Sequence, residues 1–409
     1  MSATALRRAL PRDVWLLFAN LLLASIPVGY LQVVLPLYLD RAALDPGAIG
    51  LLYTASGLVS AGLVAVSGLF ADRFGKRRFV LWGTLLPIVS FAIFAATAAP
   101  GWLGFASLLG GVGLANGAAG ALTAASFDAL LAEHTPEARR TRVFSLAQIV
   151  WDIALGLGAA LAGLPDWLRA AFPALGELGA YRPPFVGLCV LAALAALAVL
   201  PVRDDGAVSA ARARGGWLPR RSGRVIAWYA VAVGGLGLGL GVAVQLMPLW
   251  FNRRFGVDEA ALGPWYGLGQ VLSLVALVAA PWLAQRLGSG WTVLWCQVLG
   301  AACLALMAFS PGFEWAAVLF LARTVLTNVA WPLQQALLMG AVAPQERASA
   351  AGLGFAVWGL ANGVGPSIGG ALLGQGLLLA PILVGAAAYA AAGLVFGLGF
   401  AGRPRPVAA

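Results

Sequence analysis

The sequence predicts an all-α integral membrane protein with twelve transmembrane helices, arranged as two six-helix repeats. Of its 409 residues, 61% are hydrophobic and only 10% are charged, a balance typical of a chain that crosses a bilayer many times. The apolar residues fall in runs of about 20, which is the length needed to span the hydrocarbon core. Short charged loops separate these runs, and the second half of the chain repeats the first.

Twelve spans follow one another along the chain. The first half holds spans 1 to 6, at about 14–39, 49–70, 79–98, 101–131, 143–164 and 184–202. The second half holds spans 7 to 12, at about 225–251, 262–284, 291–310, 313–342, 348–373 and 377–402. Because charged residues occur mainly between these ranges, each range can be buried in lipid at low cost.

A basic linker, residues 203–224, divides the chain into an N-terminal half, 1–202, and a C-terminal half, 225–409. The two halves share residues at one constant offset of 207. The matching pairs are Arg140 and Arg347, Trp151 and Trp358, Gly156 and Gly363, Gly158 and Gly365, and Gly163 and Gly370. Five matches at a single offset are difficult to obtain by chance, so the sequence predicts two parallel structural repeats.

The basic residues predict the orientation in the membrane. Twenty of the 26 Lys and Arg lie on the side of both termini, five lie on the opposite side, and Arg323 lies inside a span. We therefore expect a multi-pass, monomeric protein of the cell inner membrane with both termini in the cytoplasm. Orientation in the lipid bilayer therefore explains the net charge of +10. We expect no binding of nucleic acid. The longest outward loop, 164–184, is expected to lie along the membrane interface.

Residues typical of an enzyme or a metal site are scarce in this sequence. His134 is the only histidine, which excludes a histidine-based metal or catalytic cluster. The cysteines, Cys189, Cys296 and Cys303, lie in apolar runs without metal-binding or redox spacing. No nucleophile–base pair or pair of catalytic carboxylates stands out. We therefore assign no catalytic residue, no metal ligand and no cofactor, and an enzyme is the least favoured class.

The loop between spans 2 and 3 carries the most specific motif. Residues 68–78 read Gly-Leu-Phe-Ala-Asp-Arg-Phe-Gly-Lys-Arg-Arg. The order Gly-x-x-x-Asp-Arg-x-Gly-Lys-Arg resembles the loop signature between helices 2 and 3 of the major facilitator superfamily (MFS) of secondary transporters, although Phe70 stands where Leu is usual. The resemblance implies the MFS fold, a small-molecule substrate bound between the two halves, and alternating access to the two sides of the membrane.

By this resemblance, the loop forms part of a cytoplasmic gate. Gly68 would allow another helix to approach, and Asp72 would meet the positive N-terminal end of span 11. In the alternative interpretation, Asp72 only caps its own loop. The loop between spans 4 and 5 also resembles the family's acidic-then-basic pattern. The predicted gating residues are Gly68, Asp72, Arg73, Gly75, Lys76, Arg77, Glu133, Arg140 and Arg347.

Charged residues within spans identify a candidate site for proton coupling. Asp152 in span 5 and Arg323 in span 10 both lie near the bilayer midplane, where a charge costs about 2.5–3.5 kcal/mol. Two interpretations remain open: a carboxylate that carries a proton, and a structural Asp152–Arg323 ion pair. Asp128, near the end of span 4, is a candidate for a second gate network or a proton relay.

The polar and aromatic side chains of the central spans predict the substrate site. These residues are Gln32, Asn116, Gln148, Trp151, Gln245, Gln270, Thr327, Asn328, Trp331, Trp358 and Asn362. The set is sparse in hydrogen-bonding groups, whereas each buried hydroxyl of a sugar requires a partner. This favours proton-coupled efflux of amphipathic, drug-like compounds. The alternatives are uptake or exchange of a polar metabolite, such as a sugar, amino acid or organic ion, and translocation of lipids or lysolipids.

One motif bears on the antiporter assignment. Many drug antiporters carry a Gly-Pro-x-x-Gly-Gly run in span 5, and a similar run occurs here in span 11, at 365–370. The corresponding stretch of span 5, residues 158–163, has no proline. The chain therefore departs from the antiporter pattern at this position.

Overall fold

The computed structural model describes residues 10–111, 117–204, 222–343 and 346–400, and describes only the backbone at 65–74, 125 and 348. Of the predicted gating residues, Gly68, Asp72 and Arg73 are therefore described only in their backbone. The predicted substrate residue Asn116 also lies outside the described residues. Within the described ranges, the regular structure is helical.

The helices follow the predicted spans closely. The first half contains α1 (Arg12–Arg41), α2 (Pro46–Phe74), α3 (Lys76–Ala96), α4 (Pro100–Gly110), α5 (Gly117–Glu133), α6 (Arg140–Ala160), α7 (Leu164–Ala171), α8 (Gly176–Gly179) and α9 (Arg182–Val199). The second half contains α10 (Gly223–Ala243), α11 (Met247–Phe255), α12 (Glu259–Leu287), α13 (Ser289–Ala308), α14 (Phe313–Ala341), α15 (Arg347–Gly374) and α16 (Ala380–Phe400). Short 3-10 turns occupy Glu137–Arg139, Leu161–Gly163 and Pro173–Leu175.

Ten helical segments of the described residues are long and apolar enough to cross a bilayer. The other two predicted spans also form helices. Span 4 consists of α4 and α5, which lie on either side of residues 112–116, and span 11 is the 28-residue α15, which is rich in Gly and Ala. The chain thus has the expected all-α membrane architecture of twelve spans.

Span 7, predicted at about 225–251, consists of two helices. Helix α10 ends at Ala243, and α11 begins at Met247 with Pro248 in its first turn. Proline has no backbone N–H and clashes with the preceding turn in a helix interior, but it fits the first turn of a new helix. The sequence at Pro248 therefore favours a break in the span at residues 244–246.

The predicted repeat is visible in the helix packing. A Cβ atom on Gly29 of α1 would lie less than 3.0 Å from the backbone oxygen of Leu155 in α6. A Cβ atom on Gly241 of α10 would lie equally close to the backbone oxygen of Asn362 in α15. Leu155 and Asn362 are separated by the same offset of 207 that the sequence shows. Each repeat therefore packs its first long helix against its fifth span at the same glycine.

The Cα packing divides the chain into two units. The first unit comprises Met1–Leu44, Leu58–Ala211 and Asp258–Gly267, and the second comprises Asp45–Gly57, Arg212–Val257 and Leu268–Ala409. The beginning of α2 thus belongs to the second unit, and the beginning of α12 belongs to the first. The division predicted from the sequence, at the linker 203–224, remains a prediction.

Glycines allow close packing at the beginnings of α2 and α12, each of which belongs to a different unit from the rest of its helix. A Cβ atom on Gly50 of α2 would lie less than 3.0 Å from the backbone oxygen of Pro366 within the second unit. In the first unit, a Cβ atom on Gly263 of α12 would lie 2.5 Å from the backbone oxygen of Ala159. Ala159 and Pro366 again differ by 207. Both contacts require a glycine, because the opposing atoms belong to backbone.

Candidate functional site

A cavity of about 380 Å³ lies inside the first unit, where α1, α3, α4, α5, α6 and α9 meet. This volume is in the range of small-molecule sites. Aromatic side chains of Phe91, Phe127, Phe144 and Trp151 form part of its wall, together with many aliphatic residues. Two predicted substrate residues, Gln148 and Trp151, line this cavity. The wall therefore suits a ligand with a large apolar surface.

Most donor groups of the cavity wall are already used by the protein. The hydroxyls of Ser25, Thr84 and Thr123 donate to backbone oxygens one turn earlier in their own helices, at 2.6, 2.5 and 2.9 Å. The Nδ2 atom of Asn20 donates to the backbone oxygen of Ala195 at 2.9 Å. The cavity consequently offers few free donors to a ligand.

The polar groups that remain available are mainly oxygen acceptors. These are the carboxylate of Asp128, Oε1 of Gln148 and Oδ1 of Asn20, for which no partner is present among the described residues. Asp128 is the one ionisable side chain among the described residues of the wall. The cavity therefore presents a negative charge and acceptor oxygens within an apolar surface.

Asp152 lies on α6, one turn from Gln148. The Nε2 atom of Gln148 donates to Oδ1 of Asp152 at 3.1 Å, so the predicted i,i+4 pair is in contact. Asp152 is only 9% exposed. Within the described part of the first unit, its hydrogen-bond partner is thus a neutral amide. Arg323 of α14 belongs to the second unit and is 5% exposed, and its predicted pairing with Asp152 remains a prediction.

The predicted substrate residues of the second unit form local pairs. The Nε2 atom of Gln245 donates to Oδ1 of Asn362 at 2.7 Å. The Nδ2 atom of Asn328 donates to the hydroxyl of Ser273 at 2.8 Å. These side chains connect the break between α10 and α11 with α15, and α12 with α14. They therefore contribute to the packing of the second unit, and a role in binding substrate remains a prediction.

The remaining predicted substrate residues have different surroundings. The hydroxyls of Thr327 and Tyr389 lie 2.8 Å apart, and the rings of Trp331 and Trp358 are 5.5 Å apart between centroids. The side chains of Gln32 and Gln270 are partly buried. Gln32 is not part of the cavity wall in the first unit.

The turn between α2 and α3 brings several predicted gating residues together. Lys76 forms an ion pair with Glu133 at the end of α5. Gly75 has a φ of +96°, a conformation that favours glycine. A Cβ atom there would also lie 2.6 Å from Oδ2 of Asp204, and the same oxygen accepts the backbone N–H of Arg77 at 3.2 Å. Asp204 therefore fixes this turn from the beginning of the linker.

The other gating residues that the structure describes lie at helix starts. Arg140 and Arg347 are exposed at the first positions of α6 and α15. In the second unit, the backbone N–H of Ser222 donates to Glu346 at 2.9 Å, and the hydroxyl of Ser222 accepts the N–H of Ala343 at 3.1 Å. A carboxylate therefore binds a backbone N–H near the linker in each unit.

A second polar cluster, which we call the Glu259 cluster, surrounds the beginning of α12. It comprises Arg41, Asp166, Arg169, Glu177, Tyr181, Asp258 and Glu259. Arg41 was expected only as an outward charge. Trp167 and Phe172 are 62% and 56% exposed, but Tyr181, in the same loop, is fully buried and bonds to Glu259.

Sequence reasoning missed three residues of these sites: Asn20, Asp204 and Glu259. Asn20 could have been found as an amide inside the apolar run of span 1, where a polar group needs a partner. In the sequence, Asp204 lies in the linker, and Glu259 lies just before span 8. No spacing rule connects either residue with its partners, because Arg77 is 127 residues from Asp204, and Tyr181 and Arg41 are 78 and 218 residues from Glu259.

Long apolar helices, a twofold internal repeat and a ligand-sized cavity define this chain as a helical membrane transporter by architecture. It belongs to the Major Facilitator Superfamily, whose family model matches residues 17–326. This family consists of transporters and not of enzymes.

The relatives agree with this assignment. The chain is 23% identical to the multidrug efflux protein YfmO of Bacillus subtilis, covering 92% of this chain and 90% of the relative. It is 30% identical over 292 residues to the multidrug resistance protein MdtH of Yersinia pestis, covering 68% of each. Among solved structures, a bacterial homologue of the iron transporter ferroportin shares the fold, with a TM-score of 0.76, 18% identity, and coverage of 96% of this chain and 99% of that one.

Proposed function

We propose that this protein is a secondary transporter that exports amphipathic, drug-like molecules, and that it prefers those carrying a positive charge. The proposal rests on one observation, which is that the cavity of the first unit offers more free hydrogen-bond acceptors than donors. Most donors are bonded within the protein, whereas the carboxylate of Asp128 and two amide oxygens remain available. A lipophilic cation would supply the positive charge that this wall lacks and an apolar surface that matches the apolar surface of the wall.

Two further facts support efflux of such compounds. The wall carries Trp151 and three phenylalanines, and aromatic faces attract organic cations. The relatives YfmO and MdtH are named for multidrug efflux and resistance. A sugar fits less well, because each of its hydroxyls would need an acceptor and a donor in a wall that offers few donors.

Binding of two probes of the same shape and opposite charge tests the preference. Purified full-length protein would be titrated with tetraphenylphosphonium and with tetraphenylborate, using thermal stability as the readout. We expect stabilisation by the cation only. Asp128→Asn should weaken binding of the cation about tenfold, because one charged contact contributes about 1.5–3 kcal/mol.

Glu137→Gln serves as the matched control, since Glu137 is an exposed carboxylate in the turn after α5 and does not line the cavity. It should bind the cation as the wild type does. Equal binding of the two probes, or an unchanged affinity in Asp128→Asn, would contradict the cation preference. Stabilisation by sugars, amino acids or lysolipids alone would replace efflux of drug-like compounds with one of those substrate classes.

The same proposal includes a gate and a location. The α2–α3 turn would form a cytoplasmic closure together with Glu133 and Asp204. The ion pair of Lys76 with Glu133, the bond from the N–H of Arg77 to Asp204, and the tight turn at Gly75 support this closure. The protein would act as a monomer in the inner membrane, with both termini in the cytoplasm. The distribution of Lys and Arg between the loops supports this orientation.

A further inference from the structure

Glu259 is a buried carboxylate with one oxygen bonded and one oxygen open. It is the first residue of α12, and its side chain is 0% exposed. Its Oε1 atom accepts Nη1 of Arg41 at 2.9 Å and also the hydroxyl of Tyr181. Its Oε2 atom is buried and has no hydrogen-bond partner among the described residues. An open carboxylate oxygen in a buried site is a place where a proton can bind.

The surroundings of Glu259 contain more negative than positive charge. In the Glu259 cluster, the carboxylates of Asp166, Glu177, Asp258 and Glu259 face the two arginines, Arg41 and Arg169. Among the described residues, the other titratable groups near it are the hydroxyls of Tyr30 on α1 and Tyr181 before α9. One added proton would reduce the excess of negative charge without breaking the bond between Arg41 and Asp258.

The repeat shows that the carboxylate is not needed for packing. The starts of α2 and α12 are related by an offset of 213, which connects Gly50 with Gly263, so the position in the first half that corresponds to Glu259 is Pro46, which has no polar side chain. The preceding residue is an aspartate in both halves, Asp45 and Asp258. Asp45 binds the backbone N–H groups of Gly47 and Ala48 at the start of α2, at 2.8 and 3.2 Å. Glu259 is thus an addition specific to the second half.

Glu259 lies in the part of α12 that packs with the first unit. Residues Asp258–Gly267 pack with the first unit, while α12 continues into the second unit from Leu268. This beginning of the helix is held by the Glu259 bonds, by the ion pair of Asp258 with Arg41 at 2.7 Å, by the bond from the N–H of Ala260 to Asp166 at 3.0 Å, and by the close contact of Gly263 with Ala159. Of these, only the Glu259 bonds depend on a charge that one proton can remove from α12.

We propose that Glu259 is a proton-binding site that controls the attachment of α12 to α1. A proton from the adjoining aqueous phase binds Oε2, the new O–H bond removes the carboxylate charge, and the ion pair with Arg41 is lost. Arg41 stays charged and keeps Asp258. The beginning of α12 is then held less tightly by the first unit. The link from this step to substrate movement rests on the proposed function, whereas the proton site itself does not.

Cysteine accessibility at the beginning of α12 tests the proposal without any substrate. The three native cysteines would be replaced by alanine, and Leu262→Cys introduced, since Leu262 is 1% exposed. Its maleimide labelling rate would be compared with that of Ala171→Cys, an exposed position at the end of α7. This ratio removes the intrinsic pH dependence of thiol reactivity. We expect the ratio to rise about tenfold from mildly alkaline to mildly acidic pH, equivalent to about 1.4 kcal/mol.

Variants identify the titrating group. Glu259→Gln should give a high ratio at both pH values, whereas the adjacent control Asp258→Asn should keep the rise on acidification. Tyr181→Phe removes a donor to the charged carboxylate, so the midpoint of the rise should move to higher pH. The proposal is overturned if the wild type shows no rise, if Glu259→Gln retains the wild-type rise, or if Tyr181→Phe leaves the midpoint unchanged.

Failure of this test leaves the proposed function intact, because cation binding to the cavity is measured on other residues. Conversely, a protein that binds no cation could still release α12 on protonation of Glu259. The thermal stability of each variant at alkaline pH shows whether it is folded. If Glu259→Gln does not fold, the Tyr181→Phe midpoint decides the result.

Discussion

Asp152 combines burial with a neutral hydrogen-bond partner in the first unit, which suits a residue that alternates between a charged and a protonated form. We expect Asp152→Asn to bind tetraphenylphosphonium but to lose the response of export to a pH gradient, because an amide cannot carry a proton. The measurement is transport by proteoliposomes, with and without an imposed gradient. In the wild type, acidification of the side to which substrate is released should accelerate export.

Gln148→Leu is the matched control for Asp152→Asn. It removes the hydrogen bond at 3.1 Å but retains the carboxylate, so export should still respond to the gradient. If Asp152→Asn transports with the pH response of the wild type, the structural interpretation of Asp152 replaces the coupling interpretation. If both variants lose the response, the Gln148–Asp152 hydrogen bond, and not the proton on Asp152, is the essential feature.

At the residue scale, the sequence predicts local partners well and distant ones poorly. The contact between Gln148 and Asp152 follows from helical spacing alone. The contact between Arg41 and Glu259 joins residues 218 positions apart, and its existence depends on where the beginning of α12 packs. Equally, the hydroxyls of Ser25, Thr84 and Thr123 look available in the sequence, but their own helices use them as donors.

At the element scale, glycine decides how closely the long helices approach each other. A Cβ atom on Gly158 of α6 would lie less than 3.0 Å from the backbone oxygen of Ile26 in α1, and backbone cannot rotate away. We expect Gly158→Ala to destabilise the protein by about 1–3 kcal/mol, the usual cost of overpacking. Thermal unfolding in detergent, followed by size-exclusion chromatography, measures this loss.

Gly187→Ala in α9 is the control, because nothing lies within 4 Å of the added Cβ atom. There the substitution should be neutral or stabilising by up to about 1 kcal/mol, through the higher helix propensity of alanine. Equal stability of Gly158→Ala and Gly187→Ala would show that α1 and α6 can separate without cost. The repeat partner Gly365, packed against Gly241, should behave as Gly158 does.

The extent of the helices could be predicted because the bilayer sets their length, so apolar runs translate directly into spans. Their interruptions were harder to predict. The helix breaks before Pro248, where proline has no N–H to donate to the preceding turn. In contrast, α1 continues as one helix through Pro27 and Pro36. Proline alone therefore does not determine where a membrane helix ends.

At the scale of the whole molecule, the two repeats share their packing but not their charges. Glycine contacts recur at equivalent positions of the two halves, such as Gly29 and Gly241, whereas the acidic residue Glu259 has Pro46 as its counterpart. The cavity that contains Asp128 lies in the first unit. Because the same close backbone contacts occur in both halves, both halves keep glycines there, whereas the charge of Glu259 is present in only one of them.

Orientation in the membrane is the remaining property of the whole chain, and its basis is the twenty Lys and Arg on one side against five on the other. Because positively charged loops stay in the cytoplasm, a C-terminal green fluorescent protein fusion should fluoresce and a C-terminal alkaline phosphatase fusion should be inactive. Phosphatase fused after Leu175, between α7 and α9, should be active. The reverse pattern would place the Glu259 cluster in contact with the cytoplasm, so that cytoplasmic protons, and not external ones, would release α12.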